Sequence, residues 1–294
     1  MSGPAVRLPG LPAASRCLVM GVVNVTPDSF SDGGRWFGTT AAIAHGLQLA
    51  AEGADIVDVG GESTRPGAER ITEAEELART EPVVTALVQS GITVSVDTTR
   101  AVVAERALAV GARIVNDVSG GLADPAMAGL IARTGVPYIV VHWRGPSATM
   151  QELAVYEDVV AEVRDELSQR VAALTAAGVR PTQLIIDPGL GFAKLPSHNW
   201  ALLARLAALA ALDHPAGPFP VLVGASRKRF IGRLLASGTG APRPPLECDD
   251  ATVAMTALAA AAGAWCVRVH AVPGNADAVR VAARWNEESV HESA

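Results

Sequence analysis

Residues 53–60 read GADIVDVG, and this stretch predicts the architecture of the chain. A glycine follows a helical segment, and a short run rich in valine and isoleucine comes next. Glycine just past a helix supplies the left-handed backbone conformation in which helices commonly end. A short, nearly continuous run of β-branched residues is typical of a parallel strand that is buried on both faces. The stretch therefore indicates a helix followed at once by a buried parallel strand.

The same pattern recurs along the chain after Gly91, Gly111, Gly135, Gly178 and Gly263. With one strand added at the front and one before the last, the predicted strands are 18–25, 56–60, 92–97, 114–117, 138–142, 184–187, 221–224 and 266–270. The predicted helices are 40–51, 73–89, 101–109, 125–133, 156–177, 199–212, 250–262 and 275–285. Eight alternations favour a single-domain α/β fold, the (β/α)8 TIM barrel, with a doubly wound open sheet as the alternative. No GxGxxG motif follows the first strand, which weakens that alternative.

Composition limits the class of protein. The chain has 294 residues and a formal net charge of −6, with 49% hydrophobic and 18% charged residues. This balance excludes wholesale disorder, and the acidic excess argues against a nucleic-acid partner. The length fits one barrel over residues 17–286, between a flexible segment 1–16 and a flexible tail 287–294.

Targeting and redox signals indicate a cytoplasmic protein with no membrane partner. Cys17, Cys248 and Cys266 form no CxxC pair and no zinc-ligand cluster, which suits a reducing compartment. Prolines interrupt the N-terminal segment where a secretory signal needs an apolar run. Residues 251–267 are uncharged, but they are slightly short for a membrane span and contain a glycine. A buried helix followed by a strand fits this segment better.

Polar side chains close most of the predicted strands. In a barrel, the carboxyl ends of the strands form the floor of the active site. The residues at these ends are Asn24, Asp58, Asp97, Asn116, Asp117, His142, Asp187, Arg268 and His270. Asp58 and Asp117 lie beside stronger candidates and are interpreted as structural, and for His142 packing and function are equally open. Buried polar groups need partners, so this many at one edge indicate a binding site.

The candidates divide into two chemical halves. The carboxylates and the amide of Asp97, Asn116 and Asp187 suit a planar heterocycle with N–H donors, since a carboxylate accepts two parallel hydrogen bonds. A cationic half suits phosphate or diphosphate and comprises Arg65, Lys228, Arg268 and His270. Asn24 offers a neutral oxygen ligand for a hard cation such as Mg²⁺.

Residues 224–230 read GASRKRF and lead from the seventh strand into a helix. Its N-terminus, together with Ser226, suits an anion. The basic run alone would be a solvated patch, and its position favours a functional role for Lys228 but not for Arg227 or Arg229. The segments 26–39, 61–72, 143–155 and 238–248 are longer than typical connections, and long loops on one face of a barrel often carry function.

Seven motifs, in order, resemble those of the dihydropteroate synthases, a family of pterin-binding enzymes. The first two are VVNVTPDSFSDGG at 22–34 and DVGGESTRPG at 58–67. The others are SVDT at 95–98, VNDVSG at 115–120, DPGLGF at 187–192, GASRKRF at 224–230 and VRVH at 267–270. The resemblance runs from about residue 18 to about residue 285, and the first two motifs make the combination specific.

The resemblance implies condensation of (7,8-dihydropterin-6-yl)methyl diphosphate with 4-aminobenzoate, which gives 7,8-dihydropteroate and pyrophosphate in folate biosynthesis. It implies a pterin site at Asp97, Asn116, Asp187, Lys228 and Arg268, all but Asn116 also being catalytic. It implies a diphosphate site at Thr64, Arg65, Arg268 and His270. It implies an aminobenzoate site at Phe30, Thr64, Pro66, Phe192, Ser226 and Lys228. It further implies Mg²⁺ as cofactor with Asn24 as ligand, a homodimer, and a sulfonamide target.

One departure and two alternatives qualify this assignment. Val141-His142 stands where such family members often have Met-His, and the smaller valine predicts modestly weaker packing on a flat ring. One alternative is a methyltransferase that uses methyl-tetrahydrofolate with a corrinoid partner, and the cations on the diphosphate side argue against it. The other is a non-catalytic pterin-binding paralogue, against which the intact site residues argue. Only the synthase hypothesis predicts pyrophosphate release that depends on 4-aminobenzoate.

Overall fold

The protein is described by a computed structural model, which covers residues 8–11, 15–26, 34–63, 70–146, 149–215, 217–238 and 240–291. Its strands are β1 (Leu18–Asn24), β2 (Ile56–Gly60), β3 (Val94–Asp97), β4 (Ile114–Asp117), β5 (Tyr138–Val141), β6 (Leu184–Asp187), β7 (Leu222–Val223) and β8 (Cys266–Val269). Its α-helices are α1 (Gly34–Ala51), α2 (Glu73–Gln89), α3 (Ala101–Ala109), α4 (Ala126–Thr134), α5 (Val159–Ala176), α6 (Pro196–Leu203), α7 (Leu206–Ala210), α8 (Arg229–Leu234), α9 (Asp249–Ala261) and α10 (Pro273–His291). Short 3-10 helices lie at Met150–Leu153, Pro181–Gln183 and Pro245–Cys248.

The strands form a closed ring. Neighbours pair in parallel in the order β6-β5-β4-β3-β2-β1-β8-β7. A parallel bridge between Ile186 and Val221 joins the two ends of this sheet. The predicted (β/α)8 barrel is therefore confirmed against the doubly wound alternative, since an open sheet has two unpaired edges.

Several helices depart from their predicted ranges. α1 takes in residues 34–39, which were expected to be loop. The predicted helix 199–212 divides into α6 and α7, because Arg205 leaves the helical conformation with φ −130° and ψ 37°. No glycine or proline marks that break, so packing of the buried Leu202 and Leu206 against the core overrides local helix propensity. α10 continues to His291 and so includes part of the expected flexible tail.

Side chains of each strand alternate between two apolar layers, as the period of two requires. Those on one face pack inside the ring and include Met20, Ile56, Ile114, Ile139, Ile185, Leu222 and Cys266. Those on the other face pack against the helices and include Val19, Val57, Val96, Val115, Val140, Ile186 and Val267. A residue two positions after an interior residue therefore also points into the ring. This alternation decides which strand-end polar groups reach the barrel mouth.

The amino-terminal mouth of the barrel is closed by apolar side chains. Leu8 is only 6% exposed and belongs to the interior cluster, against which Leu11 and Trp265 also pack. Arg16 donates two hydrogen bonds of 2.8 Å to the carboxylate of Asp55. These contacts place residues 8–11 and 16 against the barrel, where the sequence had predicted a flexible segment 1–16.

Two predictions about segments and thiols can be compared with the described residues. Cys17, Cys248 and Cys266 are buried and free, as expected of structural thiols. None of the helices in the described ranges is both long enough and apolar enough to cross a membrane. The uncharged segment 251–267 forms most of α9 and the start of β8.

A buried ion-pair network holds α2 against the ends of β2 and β3. Glu76 is only 1% exposed and pairs with the guanidinium of Arg100. Arg100 also donates to Glu62 Oε2 at 2.9 Å and to the carbonyl oxygen of Ile71 at 2.6 Å. Thr98 Oγ1 donates to Glu76 Oε1 at 2.6 Å. Arg100 therefore links the chain before and after segment 64–69 to the barrel wall.

Arg100→Met is expected to lower the free energy of unfolding by about 3 kcal/mol, because it leaves Glu76 buried without its cation. Urea denaturation at pH 8 measures this loss. Burial already raises the pKa of Glu76, so the defect should shrink as the pH is lowered, because protonation relieves the unpaired charge. Arg106→Met breaks an exposed pair with Glu81 and should cost less than about 1 kcal/mol. Equal losses in the two variants would contradict the assigned role of Arg100.

Candidate active site

An arginine joins three of the predicted strand-end residues at the carboxyl mouth of the barrel. Arg268 in β8 donates from Nε to Asp58 Oδ2 at 2.6 Å and from Nη2 to Asp97 Oδ2 at 2.8 Å. Asn116 Nδ2 donates to the same Asp58 oxygen at 3.0 Å. All four residues share the inward alternation of the interior cluster. The barrel thus brings together side chains that are up to 210 positions apart in the chain.

Asp187 and Lys228 complete this group from the neighbouring strands. Asp187 Oδ1 accepts a hydrogen bond of 2.7 Å from the backbone N–H of Gly189. A β-carbon at Gly224 would lie 3.7 Å from Asp187 Oδ2, 3.8 Å from Arg268 Cβ and 3.9 Å from Lys228 Nζ. The carboxylate of Asp187 and the ammonium group of Lys228 therefore both approach the space beside Gly224, next to the stem of the Arg268 side chain.

Lys228 also reaches the loop that follows β6. Its ammonium group donates to the carbonyl oxygen of Leu190 and lies 4.8 Å from the centre of the Phe192 ring. A cation within about 6 Å of an aromatic face is attracted by the ring quadrupole. Phe192 packs against the interior cluster that contains Val141, which is itself 6% exposed. The aromatic and cationic walls of the predicted site therefore adjoin its pterin-side carboxylate.

Burial shifts the pKa values of Asp97, Asp187 and Lys228 in the direction that favours the neutral form of each group. It raises the pKa of Asp97 to about 7, an effect that Arg268 opposes and Asp58 reinforces. It also raises the pKa of Asp187, against the opposing charge of Lys228 and the hydrogen bond from Gly189. Burial lowers the pKa of Lys228 to about 8, although Asp187 opposes the change. Clustered, strongly shifted titratable groups in a cleft are typical of functional sites.

Ser226 and His270 form a second polar pair at this mouth. His270 Nδ1 lies 3.0 Å from Ser226 Oγ, and the backbone N–H of His270 donates to the same oxygen at 3.3 Å. His270 follows Arg268 by two positions and so shares its alternation. The predicted diphosphate residues Arg268 and His270 are thus neighbours, and Ser226 is fixed beside them.

The other residues considered from the sequence comprise two with structural contacts, one at the end of β1, and four outside the described ranges. Asp117 faces the helices, where its carboxylate accepts from Ser119 Oγ at 2.6 Å and from Tyr138 Oη at 2.8 Å. Arg227 makes a two-point ion pair with Asp249, with distances of 2.9 and 2.7 Å. Asn24 ends β1 opposite Gly60 of β2. The predicted residues outside the described ranges are Phe30, Thr64, Arg65 and Pro66.

Two charged residues that the sequence analysis left out of the site, Asp58 and Lys194, contact its members. Asp58 holds Arg268 and Asn116, and its Oδ1 is buried without a hydrogen-bond partner among the described residues. Its position two residues after the interior Ile56 is a signal that distinguishes it from Asp117. Lys194 lies buried behind the loop after β6 and is 4% exposed. Only Lys194 and Lys228 among the 24 basic residues are lysines, so the remaining 22 are arginines. That rarity was a usable signal.

Asp97→Asn is expected to change the pH dependence of stability. In the folded protein the pKa of Asp97 is about 7, above its ordinary value of 3.8. Ionisation of Asp97 therefore costs folding free energy, and its favourable contribution below about pH 4 is lost as pH rises through 7. The variant should gain stability relative to wild type over that range, by at most about 1.4 kcal/mol per pH unit. Urea denaturation at pH 4.5, 6 and 8 measures this, and a constant difference would contradict the assignment.

The fold and site define a (β/α)8 enzyme whose carboxyl mouth is built for a small planar ligand rich in N–H donors beside an anion. Residues 20–270 match the model of the pterin binding enzyme family. The dihydropteroate synthase of Mycobacterium leprae is 58% identical over 268 residues, which cover 91% of this chain and 93% of that protein. The chain therefore belongs to the dihydropteroate synthase family of pterin-binding enzymes, which confirms the resemblance found in its motifs.

Solved structures agree with this assignment. The dihydropteroate synthase of Xanthomonas albilineans in complex with 7,8-dihydropteroate superposes with a TM-score of 0.81 at 41% identity, covering 97% of this chain and 99% of that one. The Yersinia pestis enzyme in a sulfonamide drug complex gives a TM-score of 0.86 at 36% identity, covering 97% and 100%. At these identities the likeness extends beyond the fold to the family.

Proposed function

We propose that this protein condenses (7,8-dihydropterin-6-yl)methyl diphosphate with 4-aminobenzoate to form 7,8-dihydropteroate and pyrophosphate in folate biosynthesis. One observation carries the proposal. The carboxylate of Asp187 and the ammonium group of Lys228 approach the open space at Gly224, beside the stem of the Arg268 side chain. The guanidinium of Arg268 donates to Asp97 and Asp58, and Asp58 also accepts from Asn116. Acceptors suited to a pterin edge beside cations suited to a diphosphate support this proposal.

The pterin half of the site works through acceptors that the protein has already oriented. The Gly189 N–H fixes Asp187 Oδ1, so Oδ2 is the oxygen that faces the open space at Gly224. Asn116 uses Nδ2 on Asp58, which leaves its side-chain oxygen as an acceptor. Groups held by such bonds lose little freedom when a ligand binds, and this favours both affinity and a single ring orientation.

The leaving group carries the charge that develops during the reaction. The C–O bond of the methylene to the diphosphate breaks with its electron pair on oxygen, and the aminobenzoate nitrogen supplies the pair for the new C–N bond. The amine loses one N–H proton, which the diphosphate or solvent accepts. Arg268, His270 and the predicted Arg65 stabilise the negative charge on the diphosphate. The pterin ring delocalises the positive charge that develops at the methylene, and the carboxylates of Asp97 and Asp187 stabilise this charge.

The aminobenzoate is neutral at its amine, so the site needs no strong base to activate it. We place its ring against Phe192 and Lys228, with Ser226 beside them, and assign the rest of its pocket to Phe30, Thr64 and Pro66. The same pocket would take a sulfonamide, which has the shape of 4-aminobenzoate. The sulfonamide complex of the Yersinia pestis relative supports this proposal.

The donor set at the end of β1 fits a Mg²⁺ ion that arrives with the substrate. In the described ranges no cluster of three or more histidine, cysteine, aspartate or glutamate side chains could hold a metal by itself. Mg²⁺ commonly uses few protein ligands and completes its coordination with substrate phosphates and water. Asn24 would supply one neutral oxygen, and bound Mg²⁺ would neutralise charge on the leaving diphosphate. Thr64 would help hold the diphosphate beside it.

We further propose a homodimer in the cytoplasm. Leu258 of α9 and Val281 and Trp285 of α10 are 73%, 63% and 72% exposed, on two helices that pack against each other. Exposed apolar side chains of this size on adjacent helices support an interface. Sedimentation should give twice the monomer mass, and Trp285→Glu should shift it toward monomer. The three buried free cysteines support a reducing compartment.

The deciding experiment measures pyrophosphate release with the pterin diphosphate and Mg²⁺, with and without 4-aminobenzoate. We expect release only when aminobenzoate is present, together with 7,8-dihydropteroate detected by mass. Chelation of Mg²⁺ should reduce the rate. A protein that binds the pterin but releases no pyrophosphate would be the non-catalytic paralogue. Methyl transfer from methyl-tetrahydrofolate to a corrinoid, with no pyrophosphate, would support the methyltransferase alternative.

A further inference from the structure

Lysine is rare in this chain, and the charge of one carboxylate, Asp187, acts on both of its lysines. The other 22 basic residues are arginines, and arginine is the cation in the surface ion pairs. Arginine stays charged in almost any environment, whereas lysine is a compact amine whose charge responds to burial. Lys228 lies in the proposed pterin site. Lys194 is more deeply buried, at 4% exposed, and the mechanism above does not use it.

Lys194 is held by two acceptors behind the loop that carries Phe192. Its Nζ lies 2.9 Å from His142 Nδ1 and donates to the carbonyl oxygen of Phe192 at 3.1 Å. A β-carbon at Gly189 would lie 3.4 Å from the same Nζ. The amine thus contacts or approaches two points of the segment that follows Asp187, at Gly189 and at Phe192.

Only one neutral form of His142, with the proton on Nε2, gives both ring nitrogens a hydrogen-bond partner. His142 Nε2 lies 2.9 Å from Glu166 Oε2, a carboxylate that also pairs with Arg144. Against the effect of burial, hydrogen bonds from His142 and Arg144 lower the pKa of Glu166 to about 2. Burial and the charge of Lys194 lower the pKa of His142 to about 4. The ring is therefore neutral near pH 7, donates from Nε2 to Glu166, and accepts from Lys194 at Nδ1.

Two conformational features make this loop depend on such anchors. Gly189 has φ +66°, and a β-carbon there would lie only 2.2 Å from the carbonyl oxygen of His142. Ala193, directly before Lys194, has φ +49°, a conformation that non-glycine residues rarely adopt. Asn199 Oδ1 accepts from the Gly191 N–H at 2.7 Å and fixes the middle of the loop. The unfavourable backbone at Ala193 persists because its neighbours hold both sides.

We propose that Lys194 is a positioning residue for pterin recognition, which holds the loop 187–194 from behind and supplies positive charge that favours the anionic form of Asp187. The proposal rests on the role proposed above for Asp187. It makes the charge of Lys194 and the affinity for the pterin mutually dependent, because each site changes the free energy of the other by the same amount. His142 and Glu166 fix Lys194 and do not touch the ligand.

The charges around Lys194 set the direction of this coupling. Burial lowers the pKa of Lys194 to about 7, and Asp187 opposes that change. A bound pterin keeps Asp187 ionised, so ligand binding should raise the pKa of Lys194. The charged and titratable groups that act on Lys194 are Asp187, Lys228, Arg144, Glu166, His142 and His198. The positive groups among them disfavour the ammonium form of Lys194. A ligand that binds Asp187 can favour this form through the negative charge of that carboxylate.

Nuclear magnetic resonance of protein labelled at the lysine ε-carbon tests this directly, because the chain gives only two lysine signals. The signal missing from Lys194→Met identifies Lys194. In wild type its pKa should rise when 7,8-dihydropteroate saturates the site, and in Asp187→Asn at saturating ligand this rise should be absent. An unchanged pKa in ligand-saturated wild type would overturn the proposal. The Lys194→Met variant serves only to assign the signal, and the pKa itself is measured in protein that retains Lys194.

Calorimetric titration with 7,8-dihydropteroate supplies the second arm. Lys194→Met should weaken binding roughly tenfold or more, since it removes a charge-assisted hydrogen-bonding group. Lys194→Gln keeps a donor without the charge and should bind with intermediate affinity. Wild-type affinity in Lys194→Met would overturn the positioning role, and wild-type affinity in Lys194→Gln would overturn the role of the charge.

Gln183→Met is the matched control. Gln183 is fully buried at the opposite end of β6 and donates to the carbonyl oxygens of Ile131 and Val136 at 3.1 and 2.9 Å. Its loss should reduce thermal stability without changing ligand affinity. Failure of the proposed function looks different, because wild type would then lack aminobenzoate-dependent pyrophosphate release. Failure of the present inference leaves that activity intact, with Lys194→Met binding as tightly as wild type.

Discussion

Asp187→Asn is expected to weaken pterin binding roughly a hundredfold, with little loss of folding stability. The variant keeps the shape of the side chain but replaces an acceptor oxygen by an NH₂ donor. Because the Gly189 N–H holds Oδ1, the group that faces the open space at Gly224 becomes a donor opposed to the N–H groups of the pterin. The loss of a charged acceptor costs about 1.5–3 kcal/mol, and an unpaired donor adds to this. Burial already disfavours the ionised carboxylate, so folding should not depend on it.

Calorimetric titration with 7,8-dihydropteroate measures this effect, and Asp117→Asn provides the control. Asp117 has the same chemistry and also ends its strand, β4, but it faces the helices and accepts from Ser119, Gly121 and Tyr138. Its substitution should reduce stability and leave ligand affinity unchanged. If both variants bound the ligand equally, the alternation of strand side chains would not decide membership of the site.

Lys228→Ala is expected to lower kcat/KM by roughly a thousandfold while the protein remains folded, because the variant loses a site cation that acts on both substrates. The ammonium group approaches the space at Gly224, bonds the carbonyl oxygen of Leu190 and lies over Phe192. Removal therefore takes away a charge beside Asp187, a support of the loop and one wall of the aminobenzoate pocket. The effect should appear in kcat and in both KM values.

Steady-state assay of pyrophosphate release measures the loss, and circular dichroism with a thermal melt checks the fold. Arg229→Ala is the matched control, because Arg229 is the next residue, begins α8 and is exposed. It should retain activity within about twofold of wild type, as expected for a substitution at an exposed position. Near-normal turnover in Lys228→Ala, or an equal loss in Arg229→Ala, would remove Lys228 from the machinery.

Local sequence predicted the secondary structure where strong signals were present. α2 and α3 begin and end at the predicted residues, and so do β2, β4 and β6. Thr72 caps α2 by accepting from the Glu75 N–H at 3.2 Å, a signal that any helix start can carry by itself. The break between α6 and α7 has no such signal, because it follows from how two leucine-rich turns pack against the core.

The sequence predicted most of the residues that form the candidate site, but it did not predict which of them contact one another. Strand ends indicated Asp97, Asn116, Asp187 and Arg268, since parallel strands in a barrel bring their carboxyl ends together. Asp58 was taken as structural because its neighbours were stronger candidates, although its alternation with Ile56 places it in the interior. The partner of Arg268 was not predictable, because the choice between carboxylates depends on how neighbouring strands are offset around the ring.

Sequence alone therefore determined most of the elements, the barrel and most of the polar groups at its mouth. These follow from glycine conformations, β-branched runs and a period of two, all of which act over a few residues. Only the tertiary structure decided that Arg268 bridges Asp58 and Asp97 and that Lys194 lies behind the Phe192 loop against His142. Such contacts join residues far apart in the chain, so they depend on strand register, helix packing and the exclusion of water, which no local pattern encodes.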